Sequence, residues 1–142
     1  MIDSFRDEYF FLSNFYECPV TFGGITYQNN EAAFQAQKTL EPAMRERFAG
    51  MNPTSAKHAG RRVSLRADWE EVKADLMYQI CRAKFSQHPD LAQKLLATGD
   101  EMLIEGNNWG DRTWGMVNGK GKNLLGQILM RIRNELAEKE DA

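Results

Sequence analysis

Residues 18–38, CPVTFGGITYQNNEAAFQAQK, set the fold class. Two β-prone runs flank Gly23-Gly24, a dipeptide that supplies positive φ, so Cys18 to Gln28 predicts a hairpin closed by a two-residue turn. Strand character stops there. Asn30 can cap a helix that begins at Glu31 and runs to about Leu40, and from that point the pattern is helical almost to the end.

Working outward, a second helical stretch spans Pro42 to Phe48 before Gly50, and Asn52-Pro53 opens a short helix that Gly60 can close. Asp68 with Glu71 has the spacing of a capping box. Behind it, Val72, Leu76 and Ile80 beside Met77, Cys81 and Phe85 form an apolar stripe at helical spacing, which predicts the longest middle helix. Asp90 can cap a helix through Leu96 with Gly99 as its stop. Asn123 begins a final helix whose inward face is Leu125, Ile128, Leu129, Ile132 and Leu136. The expected fold is mostly α, in the α+β class, a single compact multi-helical domain over residues 1–142 with a small β-hairpin or sheet.

Composition agrees with an ordinary folded domain. The 142 residues suffice for one real core, and 42% hydrophobic with 27% charged residues excludes disordered and fibrous classes. A formal charge of -2, from 18 basic and 20 acidic residues, lacks the footprint of a general nucleic-acid binder, although a local basic patch remains compatible with it. No apolar run approaches the roughly 20 residues needed to span a bilayer. The start, MIDSFRDEYF, carries acids where a secretory peptide carries bases, so a cytoplasmic protein without membrane association is expected. Cys18 and Cys81 stand far apart and form no ligand spacing with His58 and His88, which predicts buried reduced thiols and no metal site.

Residues 100–122, DEMLIEGNNWGDRTWGMVNGKGK, break the helical pattern with five of the 11 glycines and two of the three tryptophans. β-prone fragments occur at Met102 to Ile104 and Trp114 to Val117. A long loop with its own glycines and aromatics inside a compact domain is more often functional than idle.

Four constellations can carry chemistry. Glu31, Gln35 and Lys38 fall at i, i+4 and i+7, lining one helix face with a carboxylate, an amide and an amine. The same pattern also suits a solvated face with an acid in the first turn. Asp111 lies between Trp109-Gly110 and Trp114-Gly115, where glycine lets backbone approach a ligand and indoles exclude water and can raise a carboxyl pKa; an Asp capping a turn between packed tryptophans is the other reading. Lys57, His58, Arg61, Arg62 and Arg66 form a basic cluster, able to take phosphate or to stand as a solvated helix end. Glu8 to Tyr16 is too aromatic for a loose terminus, and Ser13 and Asn14 interrupt it with side chains able to bond a ligand or cap a turn.

Tyr9-Phe-Phe-Leu-Ser-Asn-Phe15, Glu31-Ala-Ala-Phe-Gln-Ala-Gln-Lys38, Ala59-Gly-Arg-Arg62 with Trp69, Trp109-Gly-Asp-Arg-Thr-Trp-Gly115 and Asn123-Leu-Leu-Gly-Gln-Ile-Leu-Met130 occur in that order. In these motifs the chain resembles the NADAR family of YbiA-like N-glycosidases over nearly its whole length. The resemblance implies a mostly helical domain with a small sheet that hydrolyses N-glycosides of ribose, and the composition and cysteine count add the expectation that it is metal-independent and needs no cofactor. The substrate that the resemblance implies is a ribosylated base: a ribosylaminopyrimidine phosphate of riboflavin synthesis, or ADP-ribosylated guanine in nucleic acid. The family's critical positions fall on Glu31, Trp69 and Asp111.

Cleavage of an N-glycoside develops positive charge on ribose and negative charge on the departing nitrogen, which calls for an anion near the sugar and a proton source near the base. Glu31 and Asp111 supply the pair, in either order, and Lys38 offers a second route as a Schiff-base nucleophile on an opened ribose. Trp69, Trp109 and Trp114 serve as stacking walls, and Arg61 and Arg6 as phosphate ligands. Ser13, Asn14, Gln35, Gly110 and Asn123 complete the expected binding set. A non-catalytic module binding ADP-ribose or a related nucleotide is the alternative.

Overall fold

The computed structural model describes residues 1–141. The chain forms two compact units: Asn14–Gln87, and Met1–Ser13 together with the chain from His88 onward. Six α-helices and one two-stranded sheet are formed among the described residues, so the mostly helical reading with a small hairpin holds.

In the first of these units β1 (Glu17–Phe22) and β2 (Ile25–Asn29) pair antiparallel, with Val20 opposite Tyr27 and Phe22 opposite Ile25. Gly23 and Gly24 turn between them at φ +59° and +83°, a pair of positive values that side chains strongly resist and that matches the strand twist. Val20 and Tyr27 point inward and are wholly buried. The pairing is irregular between Glu17 and Val20, where Pro19 has no N–H to give. Gln87, at the far end of α4 (Trp69–Gln87), satisfies β1 by donating to the Thr21 carbonyl and accepting from the Thr21 N–H, each at 2.9 Å.

Helix α1 (Asn30–Ala36) follows β2 directly, and all seven of its residues are buried. It packs on the hairpin, on α3 (Pro53–Gly60) and on α4. Its cap is Asn29, whose Oδ1 accepts the Ala32 N–H at 2.7 Å, one residue earlier than expected. Asn30 is inside the helix with its side chain turned to Asn14 and Cys81. The helix also stops at Ala36 rather than near Leu40, because Gln37, Lys38 and Thr39 each donate three residues back and tighten the end into turns. Helix α2 (Pro42–Arg47) runs into a 3-10 turn at Phe48–Gly50. Asn52 caps α3 through the Ser55 N–H at 2.8 Å, with Pro53 at its first position. Before α4 the expected capping box gives way to an ion pair: the Asp68 carboxylate takes Arg66 in a two-point contact at 2.6 and 3.1 Å.

In the other unit, α5 (Pro89–Ala97) is preceded by His88 rather than capped by Asp90, and Gly99 ends the turn after it at φ +66°. The two β-prone fragments form single bridges, not strands, Ile2 with Leu103 and Gly106 with Met116. Helix α6 (Leu124–Asp141) buries Leu125, Leu129 and Ile132, while Ile128 and Leu136 are half-buried. Gly126 lets α6 lie against the loop before it, because a Cβ there would stand 2.2 Å from the Leu103 carbonyl oxygen. Among the described residues no helix is long and apolar enough to cross a membrane.

Candidate functional site

The α1 face becomes a cluster by burial. Glu31 is 8% exposed and Gln35 6%, which removes the reading of a solvated face. A buried carboxylate requires partners, since desolvation penalises the charge. Gln35, one turn on, donates its amide to Glu31 Oε1 at 2.9 Å. The Glu31 N–H donates to the Asn14 carbonyl at 3.1 Å, so residue 14 anchors the first turn. The Asn14 side chain is buried and occupied, accepting from Asn30 at 3.3 Å and donating to the Met77 sulfur at 3.4 Å. Expected as a ligand contact, Asn14 is in this structure a brace for α1.

Gln35 fits because of Gly60. A Cβ on residue 60 would stand 1.9 Å from Gln35 Oε1 and 2.7 Å from its Cδ, so only glycine leaves the amide its slot between α1 and α3. Gly60 is the last residue of α3 and is not in the left-handed region; its role is this close approach and not the chain reversal expected of a helix stop. The Gln35 Oε1 atom is buried without a hydrogen bond, which fixes the other end of the amide, the donor, on Glu31.

Lys38 follows the helix end and is half-buried. Its ammonium lies 5.8 Å from the centre of the Trp69 ring, and Trp69, at the start of α4, tilts against Phe34 with centroids 5.1 Å apart. The Lys38 carbonyl accepts the Arg66 N–H at 2.9 Å, so the Arg66–Asp68 pair ties the lysine turn to the segment that delivers Trp69. Burial pulls the Lys38 amine below the usual lysine range; the Glu31 charge opposes this, and Arg61 and Lys73 add to it. Glu31, Gln35, Lys38 and Trp69 therefore form one group, with Arg61, itself exposed, near enough to act on the lysine. Gly60, Arg66 and Asp68 were not read from the sequence as supports of this group. Glycine directly before a basic pair looks like an ordinary helix end, and the pairing of Arg66 with Asp68 has no periodicity to mark it.

The other expected residues lie in the second unit. Asp111 is half-buried, and its Oδ1 accepts the N–H groups of Thr113 and Trp114 at 3.0 and 2.9 Å, the turn-capping role that had stood as one of two readings. Asn107 braces the same loop from both sides, accepting the Asp111 N–H at 3.0 Å and donating to its carbonyl at 2.8 Å. Gly115 is forced by proximity: a Cβ would meet Glu105 Oε2 at 1.8 Å. Trp109 is 55% exposed, Gly110 turns beside it at φ +87°, and Trp114 is half-buried. Asn123 is buried, donating to the Leu103 carbonyl at 2.9 Å and accepting the Glu105 N–H at 3.0 Å, which ties the loop to the start of α6. Arg6 is exposed beside the N-terminal 3-10 turn, Asp7–Leu12, and Ser13 closes that turn, its N–H given to the Phe10 carbonyl. Cys18 and Cys81 are buried and free, as expected, and burial pushes the Cys81 thiol up to about 12. Among the described residues no three His, Cys, Asp or Glu side chains converge as a ligand set.

Residues 3–137 match the model of the NADAR domain. N-glycosidase YbiA of Shigella boydii serotype 4 (strain Sb227) is 43% identical over 138 residues, 94% of this chain and 86% of that protein. Riboflavin biosynthesis protein VVA0006 of Vibrio vulnificus (strain YJ016) is 37% identical over 135 residues, 90% of this chain but 36% of the longer protein. The solved NMR structure of the E. coli protein YbiA superposes with a TM-score of 0.85 at 39% identity, covering 99% of this chain and 89% of that one. With a family model spanning nearly the whole chain and relatives of this identity, the chain belongs to the NADAR domain family.

Proposed function

We propose that this chain is a hydrolase of N-glycosyl bonds, acting on a ribosylated base with Glu31 as its central carboxylate. The observation that carries the reading is the buried Glu31, fixed by the Gln35 amide, with Lys38 and Trp69 gathered in the same unit. A carboxylate held in a low-dielectric setting stabilises positive charge far better than one in water. That is the demand made when the bond from ribose C1 to nitrogen breaks and the sugar becomes oxocarbenium-like. Glu31 then orients a water for attack at C1 and accepts its proton.

Trp69 supplies a flat apolar wall, and Arg61 a guanidinium for a phosphate on the sugar. The depressed pKa of Lys38 leaves more neutral amine near neutral pH than a free lysine has, which suits either proton transfer to the leaving nitrogen or attack on an opened ribose aldehyde. Asp111 is assigned the assisting acid on the chemistry of its motif, with Trp109, Gly110 and Trp114 around it as substrate contacts. The expected substrates are a ribosylaminopyrimidine phosphate or an ADP-ribosylated guanine, as a small molecule or in nucleic acid, in a cytoplasmic setting.

The test is incubation with each substrate and chromatographic detection of the released base. Release that Glu31→Gln abolishes in a folded protein supports the proposal. Binding of either compound with no release by the unaltered chain marks a nucleotide-binding module instead. Borohydride reduction during turnover tests the covalent route: absence of a sugar adduct on Lys38 removes it.

A further inference from the structure

An open cavity of about 360 Å³ lies against α2, the 3-10 turn after it and α3, and it shares no lining residue with the Glu31–Trp69 group. We infer that this cavity is a second ligand site, for a nucleotide: a phosphate ester carried on a flat aromatic ring. The inference does not depend on the role given to Glu31.

Its rim carries Arg47, His58 and Arg62, from three turns of chain that the fold brings around one opening. Among the described residues the side chains of these three have no hydrogen bond and no ion pair, in a chain whose formal charge is -2. The contrast with their neighbours is direct. Arg45, on the same helix as Arg47, donates to the Thr39 carbonyl at 2.9 Å, and Arg66 is held by Asp68. Two unpaired guanidinium groups with an imidazole beside them suit an anion, and a guanidinium fits phosphate through two parallel N–H bonds.

The floor is different in kind. Phe48 lines the cavity and is buried, and Met44 and Met51 line it half-exposed. Thioether sulfur is polarisable and makes favourable contacts with aromatic rings, and guanidinium planes stack on them as well. An anion alone has no use for this floor, and an alkyl chain none for the cations. A volume near the lower end of the roughly 300–1,000 Å³ of small-ligand pockets holds one ring system with its phosphate.

The test is amide-resolved NMR titration of the full chain with adenosine 5′-monophosphate, adenosine and inorganic phosphate. The expected result is that the monophosphate moves the amides of Met51, Ser55, His58 and Arg62, and binds about tenfold or more tightly than either adenosine or phosphate alone. Arg47→Ala and Arg62→Ala, at exposed positions that the fold does not use, should each weaken those shifts about fivefold or more. Arg47→Ala should leave turnover at the Glu31 group unchanged. Shifts confined to the surroundings of Lys38 and Trp69, no shifts at all, or phosphate binding as tightly as the monophosphate would each overturn the inference. A single-stranded oligodeoxyadenylate decides the source of the ligand: tighter binding than the monophosphate at the same amides assigns the cavity to a polynucleotide, and equal binding to a free nucleotide.

Discussion

Gly60→Ala tests the architecture of the Glu31 group at its least conspicuous point. Residue 60 is helical and not in the left-handed region, so backbone propensity by itself favours alanine by about 1 kcal/mol. Packing opposes it. The new Cβ would stand 1.9 Å from Gln35 Oε1, 2.7 Å from Cδ and 3.3 Å from Cβ, so the amide must swing out of its slot. That swing breaks the 2.9 Å bond to Glu31, and a hydrogen bond to a charged group contributes about 1.5–3 kcal/mol. The difference is a net loss of roughly 0.5–2 kcal/mol, a fall in melting temperature of a few degrees for a chain of this length. Turnover should fall much further, on the order of a hundredfold, because a carboxylate displaced by an ångström no longer meets the reacting atom. Denaturant unfolding and steady-state hydrolysis measure the two effects. The decisive arm is the same change in a Gln35→Ala background, where the obstructing amide is gone: there Gly60→Ala should stabilise, reversing its sign. If alanine stabilises the protein in both backgrounds, or leaves turnover intact in the unaltered one, Gly60 does not hold Gln35 against Glu31 and the reasoning fails.

Three further outcomes follow from individual contacts. Asn29→Ala removes the cap of α1 and should cost about 1 kcal/mol in urea unfolding, with a further loss of turnover because α1 carries Glu31; Asn29→Ser, which can still cap, should restore most of both. Lys38 has a folded pKa below its ordinary value of 10.5, so the unfolded chain holds the extra proton between the two values. Stability therefore rises with pH through that window, and Lys38→Met should flatten the rise when urea midpoints are compared across alkaline pH. Cys81, with its thiol pushed up to about 12, stays protonated and should resist iodoacetamide at pH 8 until denaturant is added, and labelling of the native protein at the rate of free cysteine would contradict its burial.

Much of the fold was legible because its signals are local. Gly23-Gly24 demands a turn that few other dipeptides make, and Pro42, Asn52-Pro53 and Gly99 punctuate helices where they stand in the structure. The errors are also local, but their cause is tertiary. Asn29 and Asn30 are chemically equal as caps; the choice fell to Asn29 because Asn30 is drawn inward to Asn14 and Cys81, residues far off in sequence. Helix α1 ends early because the Lys38 carbonyl is given to Arg66 rather than to a further helical turn. The β-prone fragments of the 100–122 segment make only single bridges, since the glycines that permit its close contacts also prevent a regular ladder.

For the site, spacing alone put three polar side chains on one face, and the structure buries Glu31 and Gln35 there together. Glu31, Gln35 and Lys38 sit at i, i+4 and i+7, and from the sequence each is an equal candidate to touch a ligand. The structure separates them by what already occupies their polar atoms. The Gln35 donor is spent on Glu31, and its acceptor faces the space that Gly60 leaves, so its amide holds the carboxylate in place. Asn14 and Asn123 likewise spend their amides inside the chain. Periodicity reports which side chains share a direction; it carries no information on hydrogen bonds already made, and those decide whether a polar residue faces a ligand or holds the one that does. Polar atoms left unspent are then the better guide, and in this chain they include the guanidinium groups of Arg62, which the sequence marked only as part of a basic cluster, and of Arg47, which it did not mark.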